Sequence, residues 1–161
     1  EDFFIYFEET DLCHRLWLGG YEVVYEPKSL VYHAEAVDTH REFGEFRITY
    51  LSFRNRIASF IKTLELTSLV PMLGILLLIY TALFFYYALR LNWQASAAIV
   101  GSILWNIAKF PVMAGKRSAI QKNRKARDAD LFPVIKRDPP LVYYYYLFTT
   151  LRNFTHEKPI V

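Results

Sequence analysis

The run LTSLVPMLGILLLIYTALFFYYAL, residues 66–89, carries no charged side chain between Glu65 and Arg90. As a helix rising about 1.5 Å per residue it reaches roughly 36 Å, more than the roughly 30 Å hydrocarbon core of a bilayer. A second uncharged run, Leu91 to Ala108, reaches about 27 Å, which suffices if Arg90 and Lys109 snorkel at its ends. Together they predict a two-helix transmembrane hairpin over residues 66–114. The alternative for each run is a buried helix of a soluble protein, and Asn92, Gln94, Ser96, Ser102 and Asn106 in the second fit that alternative too. Neither run reads as a signal peptide, because both lie mid-chain and lack a charged leader with a cleavage site.

Charge divides the chain on either side of this hairpin's start. Residues 1–65 hold twelve Asp/Glu against seven Lys/Arg, net −5, and residues 66–161 hold four against twelve, net +8, so the overall +3 describes neither part. A hydrophobic content of 53% and an aromatic content of 17% exclude intrinsic disorder. Cys13, the single cysteine, excludes a disulfide scaffold. Residues 109–127 contain seven Lys/Arg and no acid, and Arg54, Arg56 and Lys62 precede the first run. Basic flanks stay cytoplasmic. The expected protein is therefore an integral protein of the plasma membrane with both ends cytoplasmic and the Arg90 turn outside. Beside a span, such a basic run points to anionic lipid headgroups or to topology, and no nucleic acid is expected.

Flanking segments extend the pattern. Phe43, Phe46, Tyr50, Phe53, Ile57, Phe60 and Leu64 recur in alternating steps of three and four, one stripe on a helix over residues 41–65. Such a helix suits the membrane interface or the surface of a preceding domain. Residues 115–161 read as a basic cytoplasmic loop, then prolines at 133, 139 and 140, then LVYYYYLFTTL from Leu141 to Leu151. That last stretch is too short to span, and its tyrosines suit an interfacial or re-entrant helix.

The acidic start reads as a strand from Phe3 to Phe7, a helix from Glu9 to Leu18 stopped by Gly19-Gly20, a strand from Tyr21 to Tyr25, a turn at Pro27 and a short strand from Leu30 to His33. Three blocks stand in order: Glu8-Glu9-Thr10-Asp11-Leu12-Cys13-His14-Arg15, Gly20-Tyr21-Glu22-Val23-Val24-Tyr25-Glu26-Pro27, and Val31-Tyr32-His33. This arrangement resembles the inverting glycosyltransferases of family two, particularly rhamnosyltransferase-like members, and Arg54-Asn55 looks like a further feature of those enzymes. The resemblance covers residues 1–56. It implies that residues 1–40 are an α/β remnant, the C-terminal part of a GT-A, Rossmann-like catalytic domain, followed by a mainly α membrane region.

The resemblance also assigns chemistry. An inverting transferase needs a base to take the proton from the acceptor hydroxyl as its oxygen attacks the anomeric carbon. Glu9 matches the family's base, with Glu8 and Asp11 as alternatives. Arg15 matches a position that can reach the donor's diphosphate, or it pairs with Asp11 one helical turn away. His33 would help bind a divalent metal, Mg or Mn, or the leaving diphosphate, unless it is structural. The implied partners are a nucleotide-sugar donor, a glycan or lipid-linked acceptor, and membrane lipids. The family's nucleotide-binding half and its Asp-x-Asp motif have no counterpart here, so the expectation is a C-terminal portion of a longer enzyme or a truncated reading frame, inactive alone. The alternative class is a nonenzymatic membrane-anchoring or interaction module.

Overall fold

A computed structural model describes residues 3, 5–30, 37–135 and 142; of residues 37–42 only the backbone is described. Six helices appear among them: α1 (Glu8–Leu18), α2 (Val37–Thr63), α3 (Leu66–Leu89), α4 (Trp93–Ala108), α5 (Phe110–Lys122) and α6 (Asp128–Ile135). The chain divides into two units, Glu1–Asp128 and Ala129–Val161. In the second unit the described residues are the rest of α6, which accommodates Pro133, and Val142.

The expected α/β remnant is not there: the described residues contain no strand. Between Ile5 and Phe7 the chain bends, and Tyr6 and Phe7 take φ of 65° and 70°, a left-handed backbone that no strand adopts. Tyr21 to Tyr25 is irregular and mostly exposed, with no neighbouring strand to take its backbone hydrogen bonds. Alternating aromatic and branched residues favour a pleated backbone only where another strand pairs with it. Leu30 is likewise irregular, and Val31 to His33 lie outside the described residues, as do Leu141 and residues 143–151 of the tyrosine-rich stretch.

The helix after Phe7 does form, and its stop is a glycine device. Gly20 has φ of 80°, Tyr21 N–H reaches Leu16 O at 3.0 Å and Gly20 N–H reaches Trp17 O at 2.9 Å, the paired bonds that close a helix through a left-handed residue. Leu18 O then accepts from the backbone N–H of Lys125 at 2.7 Å, tying α1 to the loop after α5.

α2 is the hub, contacting α1, α3, α4 and α5. It breaks at Gly44, whose φ of 66° and ψ of 162° interrupt the expected continuous stripe between Phe43 and Phe46. From Phe53 onward the stripe packs inward: Phe53 meets Tyr80 of α3 at 4.3 Å between ring centres, Phe60 meets Phe7 at 6.0 Å, and Ile57 is buried. The Asn92 amide donates to Glu45 at 2.9 Å near one end of α2, while Arg117 donates to Ile61 O and Leu64 O, each at 2.6 Å, near the other. α4 and α5 therefore follow α2 in the same direction, with α3 returning between them in sequence.

α3 is long and apolar enough to cross a membrane. Only Leu69, Leu76 and Tyr80 of it are buried, and Val70, Ile75, Leu78 and Leu89 are among the apolar residues left exposed. A left-handed Leu91 (φ 58°) and Asn92, whose side chain accepts from Ala95 N–H at 3.1 Å, turn the chain into α4. α4 is shorter than the run that predicted it. It has 16 residues, about 24 Å of helix, and at Lys109 it bends by 66° into α5. Pro111 supplies the cause, having no N–H and a ring that clashes with the carbonyl four residues back. The basic stretch expected as a loop is helical through Lys122.

Candidate functional site

α1 carries the acids, and its seat on α2 depends on Asn55. That side chain is fully buried, its amide donates to Ile5 O at 2.9 Å and Tyr6 O at 2.8 Å, and its oxygen accepts from Arg54 Nε at 2.8 Å. The clamp holds the left-handed bend that launches α1. A non-glycine left-handed residue costs of order 1 kcal/mol, so a partner that fixes both carbonyls stabilises it.

The three candidate carboxylates have different surroundings. Asp11, only 2% exposed, accepts from Arg15 Nε at 2.8 Å on one oxygen and faces Lys62 Nζ at 3.0 Å on the other. Glu8 is half-buried, and its Oε2 is buried without a hydrogen-bond partner. Glu9 is exposed. Of the two roles open to Arg15, the pairing with Asp11 is the one observed. His33 lies outside the described residues, and no group of three or more His, Cys, Asp or Glu among the described residues is placed to hold a metal.

Lys62 was legible only as part of the basic flank, yet it is half of this site. Its ammonium lies over the Phe3 ring at 4.1 Å, and its pKa falls below 10.5 through burial and the positive charge of Arg15 and Lys116, against the pull of Asp11. The signal was a second stripe: Asn55, Ser59 and Lys62 recur at steps of four and three, on a different side from the aromatic one, and all three are buried. His14 behaves similarly. It is 8% exposed, its Nε2 has no hydrogen-bond partner, and burial lowers its pKa from 6.5, with Arg124 adding to the fall while Asp128 and Asp11 oppose it.

A second cluster grips the C-terminus of α2. Arg117 takes two of its last carbonyls, the Gln121 amide donates to Thr63 O at 2.9 Å, and Arg124 donates to Thr63 O at 3.0 Å and to the Asp128 carboxylate. Glu65 and Asp128 cap each other: Glu65 N–H donates to Asp128 Oδ2 at 2.8 Å, and Asp128 N–H donates to Glu65 Oε2 at 3.1 Å. Cations at a helix C-terminus satisfy orphan carbonyls and oppose the negative end of the helix dipole. Arg117 and Arg124, two members of the basic run, thus bind the end of α2. Compared with protein-family models, curated proteins and solved structures, the chain matches none.

Proposed function

We propose that these residues form the acceptor-side, membrane-attached part of an inverting glycosyltransferase of family two, with Glu9 as general base. The division of labour in the first turn of α1 carries this reading. Asp11 is committed to Arg15 and Lys62 and serves as the post that fixes α1 on α2, whereas Glu9, two residues earlier, presents its carboxylate to solvent. A base must reach an incoming hydroxyl, and an exposed carboxylate held on a clamped helix can do so. In the reaction Glu9 takes the acceptor hydroxyl proton as the oxygen bonds to the anomeric carbon, and the nucleoside diphosphate leaves with the electrons of the broken bond. The acceptor is a lipid-linked or surface-glycan precursor, which the apolar exterior of α3 favours by holding the chain at a bilayer.

Coding sequence upstream of Glu1 should encode a nucleotide-binding strand pattern with Asp-x-Asp; a stop codon or unrelated sequence there overturns the proposal. In the enzyme carrying that half, Glu9→Gln should abolish transfer with donor binding near normal, and unchanged turnover removes Glu9 as base. The Asn92–Glu45 bond speaks against a topology with the Arg90 turn alone outside, because it sets Glu45, just past the break in α2, beside that turn. Labelling of a cysteine placed at Asn92 from outside the cell, with none at Glu45, would restore that topology. The absence of strands among the described residues favours a second reading, a nonenzymatic anchoring module, for which Glu9→Gln changes nothing.

A further inference from the structure

One side of α2 faces away from α1. Asn55 holds the bend that launches α1, and Ile57, two residues on, stands about 200° round the helix. On that side lies a groove of about 430 Å3, lined by Ile57 and Ile61 of α2, Leu73 and Leu77 of α3, and Ile103 and Asn106 of α4. From Leu69 to Leu77 it follows α3 for about 12 Å, close to half of the roughly 30 Å hydrocarbon core and so to the depth of one lipid leaflet. Its size and apolar lining are those of a small-ligand pocket, in which a few polar groups decide what is accepted. Leu77, Ile107 and Phe110 are exposed at its rim, so an occupant enters sideways, from the same surroundings that meet the apolar exterior of α3.

Asn106 is the polar residue of the lining, and it specifies the occupant. The side chain is 4% exposed, and its Nδ2 donates to Arg54 O at 3.1 Å and to Ser102 O at 2.9 Å, so both amide hydrogens are taken. Those two carbonyls also fix which end of the amide is nitrogen. Oδ1 is left buried with no hydrogen-bond partner. An unmet buried acceptor is costly, and a ligand that brings a donor recovers the loss. An ester, an ether or a plain alkyl chain brings none. We infer that the groove binds an apolar chain carrying a hydroxyl, a long-chain alcohol or a hydroxylated acyl chain, whose O–H donates to Asn106 Oδ1 while its carbons lie along Leu73, Leu77 and Ile103. The lining covers Oδ1 from water; Ile107, beside Asn106 and 65% exposed, has room to turn aside and admit the hydroxyl. The site requires no sugar transfer, and it stands or falls separately from Glu9.

The test uses the purified chain, immobilised in nonionic detergent, with radiolabelled dodecanol as the probe and unlabelled dodecanol or dodecyl methyl ether as competitor. Dodecanol should compete at least fivefold better than the ether, which has the chain and an acceptor oxygen but no donor. Asn106→Leu should abolish that preference. Because Asn106 also holds Arg54 O, a second variant keeps the test open if this one misfolds: Leu73→Trp, at a half-buried lining position, fills the groove and should weaken dodecanol binding at least fivefold. Leu78→Trp, on the exposed side of α3 outside the groove, should weaken it less than twofold. Equal competition by alcohol and ether in the unaltered chain would mean that any alkyl chain fills the groove, and it overturns the site. So do the absence of displaceable binding, equal losses in Leu73→Trp and Leu78→Trp, or a dimer in detergent that dodecanol does not dissociate, which would give the groove to a second copy of the chain.

Discussion

α3 and α4 look alike in sequence, two uncharged runs in succession, and the fold treats them differently. α3 has apolar residues on every side and buries few of them, so its exterior asks for a solvent other than water. α4 buries one side, Ala95, Ser96, Ala98, Ile99, Ser102 and Asn106, against its neighbours. Those residues recur at helical steps and are small or polar, the kind that let backbones approach and exchange hydrogen bonds. The Asn106 amide, for example, donates to Arg54 O of α2 at 3.1 Å. Absence of charge marks a helix as apolar enough to leave water; the placement of small and polar residues tells whether it leaves for lipid or for protein.

The contrast can be broken most decisively at Leu78, in the middle of α3 and 72% exposed. Leu78→Arg should cost about 2.5–3.5 kcal/mol of insertion in a glycosylation-reporter assay; a cost near zero would make α3 an ordinary protein surface. Ala98 of α4 has no exposed area. Ala98→Leu should destabilise by about 1–3 kcal/mol through overpacking, read as the unfolding midpoint in detergent, and a neutral result would unseat α4 from α2. Acid sharpens the comparison because neither helix contains an acid, lysine, arginine or histidine. With the folded pKa of His14 below its unfolded 6.5, the unfolded chain binds the extra proton. Stability should then be flat for this group above pH 6.5 and fall below it, by at most about 1.4 kcal/mol per pH unit. His14→Gln should remove that slope, and an identical slope in the variant would show that His14 is not its origin. The smallest effect is Ser102→Ala, which removes a 2.7 Å bond to Ile99 O and should cost about 0.5–1 kcal/mol in the same midpoint.

The helices were legible wherever local signals and packing agree. The uncharged run gave α3 residue for residue, Gly20 marked the end of α1, and Asp11 with Arg15 was visible as a pair one turn apart. The strands were not legible, because pairing is a property of a neighbour and Tyr21 to Tyr25 has none among the described residues. The bend between α4 and α5 was present as Pro111 and passed unread, since hydropathy does not register a missing N–H. In the site, Asp11 and Arg15 emerged from one helix, while Lys62 comes from α2, distant in sequence, and only the fold brings it to Asp11.

The mutual capping of Glu65 and Asp128 joins residues 63 positions apart. A growing chain cannot close that clasp until α3, α4 and α5 have all been made, so its formation comes after the long apolar helix has already met its surroundings. During synthesis α3 is held by its own hydrophobicity and by its contacts with α2, such as Phe53 against Tyr80. Once Asp128 arrives, the segment between becomes a closed loop whose two ends are fastened to each other and to the end of α2, and removal of α3 from its environment then requires opening the clasp or carrying both ends along.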